Sequence, residues 1–531
     1  MKNFLPILAY VFFVAFAPLI YTTLRTISRT KLKDVTFRKA LAKDYLRTLP
    51  VCALVLLPIL AAPVLVPAYI VALHLVFAPL LLLELGHVHL FRTRIGLNTF
   101  YSLFVSNMRE TKEFVAQNVT KAQIVLALVV CIAPAFLLSR LPRPSFDSEI
   151  IHWSAAALAA LLSAPFFVNL FRSPNGRKDG YVMNPFSNVF YHYALFRRNY
   201  RELRRLIAEH AAPPFENIVS TLPANTRQTL VVIIGESANA QHFGCYGYAR
   251  ATTEFTDRLG NEMIRVPHVR SPFAQTIPSL EKVLTFADNE HADLIYAKGS
   301  VIDFFNDAGF KTFWYSNQYA LDDTALTAMT SHATVSKCFN FSGMKRFEKA
   351  GLDGDMLPDY RRALADPAPR KAIFLHLIGS HSAYVNRYPD EFHRFGEQAP
   401  GRSLPPEKLK FLNAYDNSIR YTDWLVAEAV HELRSVSGAA SLLYFSDHGE
   451  DIYDSTDARI LGHSQLANEP MTSVPFMLWT SADFDRLRPD IRSAIPKDGY
   501  DLVDAIHTLI DIASLSNPDY APEKSVFVRK S

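Results

Sequence analysis

Residues 441–453 read SLLYFSDHGEDIY, in which an apolar run typical of a buried strand leads directly into Asp447, His448 and Glu450. Within a strand, neighbouring side chains point to opposite faces of the sheet. Asp447 and His448 can therefore face one site only if the backbone leaves strand geometry after the apolar run. The stretch predicts a functional site at the point where a buried strand ends.

Four other segments of the chain have the same apolar character. They begin at about residue 230 and are separated by stretches with helical spacing: TLVVIIGES, KTFWYSN, KAIFLHLIGSH and SVPFMLWTS. Continuous apolar strands that alternate with helices are typical of a mainly parallel sheet covered on both faces. Residues 226–531 are therefore predicted to form a soluble α/β domain.

Two more of these strands end in polar residues that suit a metal site. Glu236 follows the first strand, His381 follows the strand that contains His376, and in open α/β sheets sites form beyond the carboxyl ends of the strands. Together with Asp447 and His448 they offer two carboxylates and two imidazoles, a suitable ligand set for Zn²⁺ or a similar divalent ion. A single Glu or His at a strand end is more often a cap or a surface group, so spacing alone leaves both interpretations open.

The first 175 residues are much more apolar than the rest of the 531-residue chain and contain five segments near the length of a spanning helix. They predict a five-helix transmembrane domain in residues 1–175, with buried core helices as the alternative. The first segment is not typical of a cleaved signal peptide, since further apolar segments follow it. The five segments are residues 3–24, 50–66, 68–91, 122–141 and 150–171.

Residues 176–225 are predicted to link the two domains. Within them, residues 184–210 carry aromatic and basic residues at helical spacing, which fits either a helix on the membrane surface or a packed linker helix. The net charge of +4 is too small to indicate a nucleic-acid partner. Cys245 and Cys338 are the two cysteines of the predicted soluble domain, and the sequence leaves open whether they pair.

Five motifs occur in an order and approximate spacing that resemble the membrane-bound phosphoethanolamine transferases, a sulfatase-like branch of the alkaline phosphatase superfamily. The resemblance covers essentially the whole chain. The run QTIPSLEKVLTFAD is most similar to members that modify the lipopolysaccharide core rather than to the lipid A enzymes that confer polymyxin resistance. The motifs are VVIIGESANAQHFGCYGYARATTEF, AQTIPSLEKVLTFAD, FLHLIGSHSAYVNRYP, YFSDHGEDIYD and SVPFMLWTS.

The resemblance implies one zinc ion, held at the positions of Glu236, Thr276, Asp447 and His448, and it leaves a second metal open. Thr276 would be the nucleophile, although a threonine before Ile-Pro-Ser otherwise indicates a turn or a helix cap. A coordinated cation lowers the pKa of a hydroxyl and stabilises charge that develops on phosphorus. The lipid A enzymes flank this threonine with disulfide cysteines, whereas SPFAQTIPSL has none, so packing alone is expected to hold the loop.

The implied reaction transfers phosphoethanolamine from phosphatidylethanolamine to lipopolysaccharide, at a core heptose or at lipid A, through a covalent intermediate on Thr276. His381 and His463 match positions that move protons in relatives, although His463 in ILGHSQLANEP also fits a surface-loop residue. Two alternatives stay open. One is a related phosphotransferase or hydrolase that uses another polar lipid, and the other is a catalytically silent membrane scaffold.

The sequence SNMRE, residues 106–110, resembles a Thr-Asn-x-x-Glu motif of the family that lies near the lipid head group. Glu110 would attract an ethanolamine ammonium, while Ser106 and Asn107 could bind the phosphate. A solvated interfacial helix is the alternative.

The implied location is the bacterial inner membrane, with the catalytic domain in the periplasm and the membrane lipids as partners. Residues 25–47, predicted to be a loop with eight Lys and Arg residues, would then lie outside, against the positive-inside tendency. A basic periplasmic segment that meets lipid or lipopolysaccharide phosphates would reconcile the two.

Overall fold

The computed structural model describes most of the chain, in two separate units. One unit contains residues 1–106 and 118–200, and the other contains residues 107–117 and 201–531. The described residues, apart from a few single positions, are 4–26, 35–91, 94–96, 99–100, 119–140, 148–171, 192–198, 214–319, 325–340, 351–455, 467–496 and 498–528.

The first unit contains five long helices in its described part. Helices α1, α3 and α4 are long and apolar enough to cross a membrane, while α2 and α5 contain the shorter apolar stretches Thr48–Ala61 and Glu149–Ala164. The bounds are α1 Leu5–Thr26, α2 Val35–Ala61, α3 Val66–Phe91, α4 Lys121–Leu138 and α5 Glu149–Phe171.

Helix α2 differs from the predicted segment 50–66. It begins fifteen residues earlier, at Val35, and ends at Ala61, before a short 3-10 turn at Pro63–Leu65. The second half of the basic segment 25–47 is therefore helix rather than loop, because Lys, Arg, Ala and Leu all favour helix even where they are not apolar enough to be recognised as a membrane span.

Polar contacts join three helices of the first unit, which we call the membrane unit. The Tyr10 hydroxyl on α1 lies 2.7 Å from Nδ1 of His74 on α3, and Nε2 of the same ring lies 3.2 Å from the Val130 carbonyl on α4. Because a carbonyl only accepts, Nε2 carries the hydrogen and Nδ1 accepts from Tyr10. Such hydrogen bonds stabilise helix association where the surroundings are apolar.

A seven-stranded sheet forms the centre of the second unit. Its spatial order is β2-β7-β6-β1-β5-β3-β4; the five strands from β6 to β4 are parallel to one another, and β7 runs antiparallel to both of its neighbours. The bounds are β1 Gln228–Gly235, β2 Met263–Arg265, β3 Lys311–Tyr319, β4 Val335–Asn340, β5 Arg370–His376, β6 Ala439–Ser446 and β7 Phe476–Thr480.

Helices cover both faces of this sheet, as the continuous apolar strands predict. In β1, Leu230, Val232 and Ile234 pack on one face and Val231 and Ile233 on the other, all fully buried. The principal helices are α6 Thr276–Val283, α7 Val301–Asp307, α8 Ala325–Ser331, α9 Leu357–Ala365, α10 Pro406–Leu433, α11 Ala482–Leu487 and α12 Ala505–Ile512.

Shorter elements complete the second unit. Residues 214–225 already belong to it, because Val219–Ser220 pairs with Leu515–Ser516. Two further ladders join Val269–Arg270 to Ser473–Val474 and Ile495–Pro496 to Phe527–Val528.

A buried ionic network ties the segments after β1 and β6 to α10. Nδ1 of His242 lies 2.7 Å from Asp416, and Nε2 lies 3.1 Å from Asp454. Arg250 pairs with Asp416 at 2.7 Å, and Arg402 pairs with Asp454. Burial lowers the pKa of His242, but Asp416 and Asp454 outweigh it and raise the pKa to about 9. The imidazolium is therefore part of the folded framework at neutral pH.

This network predicts a pH-dependent stability. The folded pKa of His242 is about 9 and the unfolded value is near 6.5. The stabilisation is therefore complete below pH 6.5, declines as pH rises and is absent above 9. It is on the order of 3 kcal/mol by linkage. We expect His242→Gln to lower the thermal unfolding midpoint of the full chain in detergent at pH 6 much more than at pH 9.5.

A matched control for this prediction is His332→Gln, which alters a half-exposed histidine paired with Asp303. Its effect on the midpoint should be small at every pH. A difference between wild type and His242→Gln that stays constant from pH 6 to 9.5 would contradict the prediction.

Candidate active site

Three adjacent parallel strands, β5, β1 and β6, deliver the candidate residues to one edge of the sheet. Gly235 pairs in register with Ser446, so the residues that follow them, Glu236 and Asp447, emerge side by side. The amide of Asp447 still donates to the Gly235 carbonyl at 3.1 Å, after which the chain leaves the ladder. This departure is why Asp447 and His448 can both turn toward one site.

Glu236, Asp447 and His448 form a fully buried cluster whose potential ligand atoms all lie within 4.8 Å of one another. Nε2 of His448 is 3.2 Å from Oε1 of Glu236 and 3.5 Å from Oδ2 of Asp447. Nδ1 of His448 lies 2.7 Å from the Gly449 carbonyl, which only accepts, so Nδ1 carries the hydrogen. In the neutral ring, Nε2 is then the atom presented for coordination, the arrangement common to metal-binding histidines.

The two oxygens of Asp447 have different surroundings. Oδ1 accepts from the backbone amides of His448 at 2.7 Å and Ser237 at 3.2 Å. Oδ2 is shielded from solvent and accepts no hydrogen bond from the described residues. A buried carboxylate oxygen without a donor is costly, and it faces the imidazole nitrogen and the second carboxylate. This oxygen and nitrogen donor set fits Zn²⁺ or a similar divalent ion.

The charges of the cluster are strongly coupled. Burial raises the pKa of Asp447 well above its usual range and the neighbouring Glu236 raises it further. Burial also raises the pKa of Glu236, but His448 outweighs it and holds the pKa well below its usual range. Burial lowers the pKa of His448, while Asp447 and Glu236 raise it to about 10. One carboxylate ionises easily and the other does not, unless a cation neutralises both.

Thr276 joins this cluster from the first residue of α6. Its Oγ1 donates to Oε2 of Glu236 at 3.0 Å. Ser279 on the same helix and Ser271 before it donate to the Asp447 carbonyl at 2.7 and 2.5 Å. These two hydroxyls hold the segment around Thr276. The prediction that packing alone holds this loop was therefore incomplete. The amino-terminal end of α6 also favours negative charge near Thr276.

Gln318, at the end of β3, is a site residue that the sequence analysis missed. Its Nε2 donates to Oε2 of Glu236 at 2.9 Å and to the Leu377 carbonyl at 2.7 Å, which fixes the carboxylate that also accepts from Thr276. The reasoning from strand ends that selected Glu236 applies equally to Gln318, the next-to-last residue of KTFWYSNQY. A glutamine side chain is not a typical metal ligand, so the sequence pattern does not indicate that Gln318 belongs to the site.

The two histidines of β5 and its following loop have different environments. His381 is close enough for its charge to lower the pKa of Glu236. His376 lies inside β5, where burial lowers its pKa to about 4 and Ser316 lies 3.3 Å from its Nδ1. His376 is therefore a neutral, packed histidine.

Glu450, the last polar residue of the SDHGE stretch, is buried beside the cluster. It accepts from the Tyr384 hydroxyl at 2.8 Å, and burial raises its pKa to about 7. It therefore differs from Asp447 in having a hydroxyl donor of its own.

Several predicted residues lie outside the described part of the chain: Ser106, Asn107, Glu110 and His463. No disulfide joins Cys245 to Cys338 among the described residues. The Cys338 thiol instead lies 3.1 Å from the Gln318 carbonyl.

A parallel sheet with a cluster of potential metal ligands beyond the carboxyl ends of its strands is typical of α/β metalloenzymes. A family model described as Sulfatase matches residues 228–515. The phosphoethanolamine transferase EptC of Escherichia coli (strain K12) is 30% identical over 452 residues, which cover 81% of this chain and 77% of EptC. The chain therefore belongs to the sulfatase family and, within it, to the phosphoethanolamine transferases.

Solved structures agree with this assignment. The crystal structure of the C-terminal periplasmic domain of EcEptC from Escherichia coli in complex with Zn matches with a TM-score of 0.56 and 32% identity, over 60% of this chain and 90% of that chain. The integral membrane lipooligosaccharide phosphoethanolamine transferase A (EptA) from Neisseria meningitidis has the same fold, with a TM-score of 0.68 and 18% identity over 99% and 98% of the two chains. The predicted fold class, a helical membrane domain followed by an alkaline-phosphatase-like domain, is confirmed.

The cluster predicts that Asp447→Asn weakens zinc binding. The amide replaces the carboxylate oxygen that accepts no hydrogen bond from the described residues, so the cation loses a charged ligand. We expect the affinity to fall by more than the roughly 10–100-fold that loss of an outer hydrogen-bond partner costs. Equilibrium dialysis with elemental analysis measures it, and His376→Gln, a buried neighbour outside the cluster, should retain zinc. Equal zinc content in both variants would refute the ligand assignment.

Gln318→Leu tests the amide that orients Glu236. The variant removes both hydrogen bonds of Nε2 but keeps a side chain of similar volume, so the carboxylate loses its fixed position. Zinc affinity should fall roughly 10–100-fold. Gln241→Leu, at an exposed glutamine of the turn Ala240–His242, is the control and should bind zinc normally. An unchanged affinity in Gln318→Leu would show that Glu236 needs no such support.

Proposed function

We propose that this protein transfers phosphoethanolamine from phosphatidylethanolamine to lipopolysaccharide, with Thr276 as the nucleophile. The observation that carries the proposal is the 3.0 Å hydrogen bond from Thr276 Oγ1 to Glu236 inside the buried cluster with Asp447 and His448. A hydroxyl in such a cluster is suited to attack phosphorus, because a coordinated metal ion would activate it and no separate strong base would be needed. The names of the matched relatives support phosphoethanolamine as the transferred group.

Glu236, Thr276, Asp447 and His448 would together hold one zinc ion. When bound, zinc lowers the pKa of a coordinated hydroxyl and offsets the negative charge that develops on the phosphoryl group. The Zn complex of the EcEptC domain supports this choice of metal. Within the chain itself, Gln318 and the Gly449 carbonyl orient Glu236 and His448 for the same task.

The first displacement forms a bond between Thr276 Oγ1 and phosphorus and breaks the bond from phosphorus to the diacylglycerol oxygen. The threonine hydroxyl gives up its proton, and the departing oxygen receives one, so diacylglycerol leaves as an alcohol. His381, which lies near Glu236, is the proposed imidazole for this proton transfer, with His463 as the second candidate. Phosphoethanolamine then remains attached to Thr276.

The second displacement returns the threonine. An acceptor hydroxyl or phosphate attacks the phosphorus, loses its proton where it is a hydroxyl, and releases Thr276 Oγ1, which is protonated again. The proposed acceptor is lipopolysaccharide, either a core heptose or lipid A. The absence of cysteines beside Thr276 in the sequence SPFAQTIPSL favours the core-modifying branch of the family and leaves the choice of acceptor to experiment.

The proposed location follows from the same reaction, since an envelope glycolipid acceptor requires the catalytic unit on the periplasmic side of the inner membrane. We further propose that Ser106, Asn107 and Glu110 contact the head group of the donor, with Glu110 opposite the ammonium. The apolar helices α1, α3 and α4 support anchoring in the membrane.

The test is a covalent adduct. Purified, zinc-loaded protein incubated with phosphatidylethanolamine should gain phosphoethanolamine on Thr276 and release diacylglycerol, both measured by mass spectrometry. Thr276→Ala should form no adduct, because it lacks the attacking oxygen. Thr276→Ser should form one, because it retains a hydroxyl, so the pair separates chemistry from a general disturbance of α6.

Each other outcome selects a different function. An adduct that appears only with another polar lipid would assign the protein to a related phosphotransferase. If folded, zinc-loaded protein neither forms an adduct nor releases diacylglycerol from any lipid, the proposed reaction is wrong and a membrane scaffold takes its place.

A further inference from the structure

A buried ion pair lies at the carboxyl-terminal end of α3, in the membrane unit. Nε of Arg94 donates to Oε1 of Glu84 at 2.8 Å, and the Ile95 amide donates to Oε2 of the same carboxylate at 3.3 Å. The Glu84 side chain is fully buried, and 14% of the Arg94 side chain is exposed. The carboxylate thus fixes both the guanidinium and the backbone beside it.

The two terminal nitrogens of Arg94 have no such contacts. Nη1 and Nη2 are shielded from solvent, and neither donates a hydrogen bond to the described residues. A shielded donor without an acceptor is costly, and more so in a charged group. Any ligand has to displace neighbouring side chains to reach these nitrogens, and the missing hydrogen bonds lower the cost of that displacement.

The sequence position of Arg94 would place it near the lipid head groups. The apolar span of α3 runs from Val66 to Leu90, and Arg94 follows its end by four residues. Arginine at the end of a membrane helix directs its charge to the interface, where lipid phosphates are the abundant acceptors. If all five helices cross, the carboxyl-terminal ends of α1, α3 and α5 share one side of the membrane.

The neighbouring segment is held in place by packing. Ile95 and Phe100 are buried in an apolar cluster with Val189 and Phe196, and the ring centroids of Phe100 and Tyr193 are 5.9 Å apart. Ile95, the neighbour of Arg94, is therefore packed in the protein without a ligand, which reduces the entropy lost on binding.

We propose that Arg94 binds the phosphate of a membrane phospholipid through Nη1 and Nη2. A planar guanidinium offers two parallel N–H groups that match two phosphate oxygens. Glu84 balances the charge of Arg94, so the pair is neutral and the site selects a phosphodiester by hydrogen bonding rather than a highly charged anion by net charge. Arg94 can bind a phospholipid whether or not the protein transfers phosphoethanolamine. Only the inference that this lipid is also the donor substrate rests on the proposed function.

A second arginine at a comparable position provides the control. Nε of Arg25, at the end of α1, donates to the Tyr21 hydroxyl at 3.3 Å, and one of its terminal nitrogens lies 3.3 Å from Nδ1 of His89. One terminal nitrogen of Arg25 therefore has a partner, whereas neither terminal nitrogen of Arg94 has one among the described residues. Replacing either residue by Gln removes the same charge, but only Arg94→Gln removes donors that are both shielded from solvent and without an acceptor among the described residues.

The experiment uses the full chain with Thr276→Ala, purified in dodecyl maltoside, which contains no phosphorus. A phosphatidylethanolamine with a photoreactive group near its phosphate is cross-linked, and adducts on residues 84–100 are quantified by peptide mass spectrometry. Arg94→Gln should reduce these adducts about tenfold, the loss expected for one charged hydrogen-bonding group. Arg94→Lys should give an intermediate loss, and Arg25→Gln should match the parent.

Competitors identify the source of the phosphate. Unlabelled phosphatidylethanolamine and phosphatidylglycerol should both suppress the adduct, whereas diacylglycerol should not. Competition by inorganic phosphate as strong as that by the lipids would overturn the assignment to a phospholipid. Unchanged adducts in Arg94→Gln, or equal losses in Arg94→Gln and Arg25→Gln, would also overturn it.

Two further comparisons cover the remaining outcomes. If Arg94→Gln aggregates, the test uses Arg94→Lys, because lysine can keep the ion pair with Glu84. Adducts of Arg94→Lys that equal those of the parent would refute a role for the guanidinium. The Thr276→Ala background separates this test from the proposed function. Failure of the transfer reaction alone leaves the Arg94 adduct intact, and failure of the Arg94 site alone leaves the Thr276 adduct intact in the otherwise wild-type chain.

Discussion

Two carboxylates that emerge side by side from adjacent strands determine the organisation of the candidate active site. Glu236 and Asp447 are both fully buried, and His448 lies against both. Buried charges persist only when they are paired or coordinate a metal. Neighbouring side chains supply hydrogen-bond donors to the pair, since Gln318 and Thr276 both donate to Glu236.

The backbone around this pair adopts conformations that ordinary residues avoid. Ser237, directly after Glu236, has a φ of 57°, which directs its amide to Asp447 and its hydroxyl to Glu236. Gly379 has a φ of 48°, and a Cβ there would come within 2.8 Å of the Glu236 backbone. Such strain is maintained only where surrounding contacts over-determine the conformation, as the ladders of β1, β5 and β6 do here.

The sequence predicted the parts of the site that follow from strand ends. Glu236, Asp447 and His448 were found because a parallel sheet brings the ends of its apolar strands to one edge. Thr276 could be found only by resemblance, since its approach depends on hydrogen bonds from Ser271 and Ser279 that join distant parts of the chain. Likewise, the start of α2 was misplaced because helix propensity extends beyond the apolar stretch that marks a membrane span.

The contact between α6 and Asp447 explains how the segment around Thr276, which has no cysteines, is fixed. Asp447 uses its side chain in the cluster and its carbonyl as the acceptor for Ser271 and Ser279, whose hydroxyls lie 2.9 Å apart. One backbone position thus sets the distance between the helix that begins with Thr276 and the carboxylates. A disulfide constrains a loop relative to itself, whereas these hydroxyls constrain it relative to the sheet. The position of the Thr276 hydroxyl therefore depends on strand β6, because Asp447 contributes its side chain to the cluster and its carbonyl to the contact that holds α6.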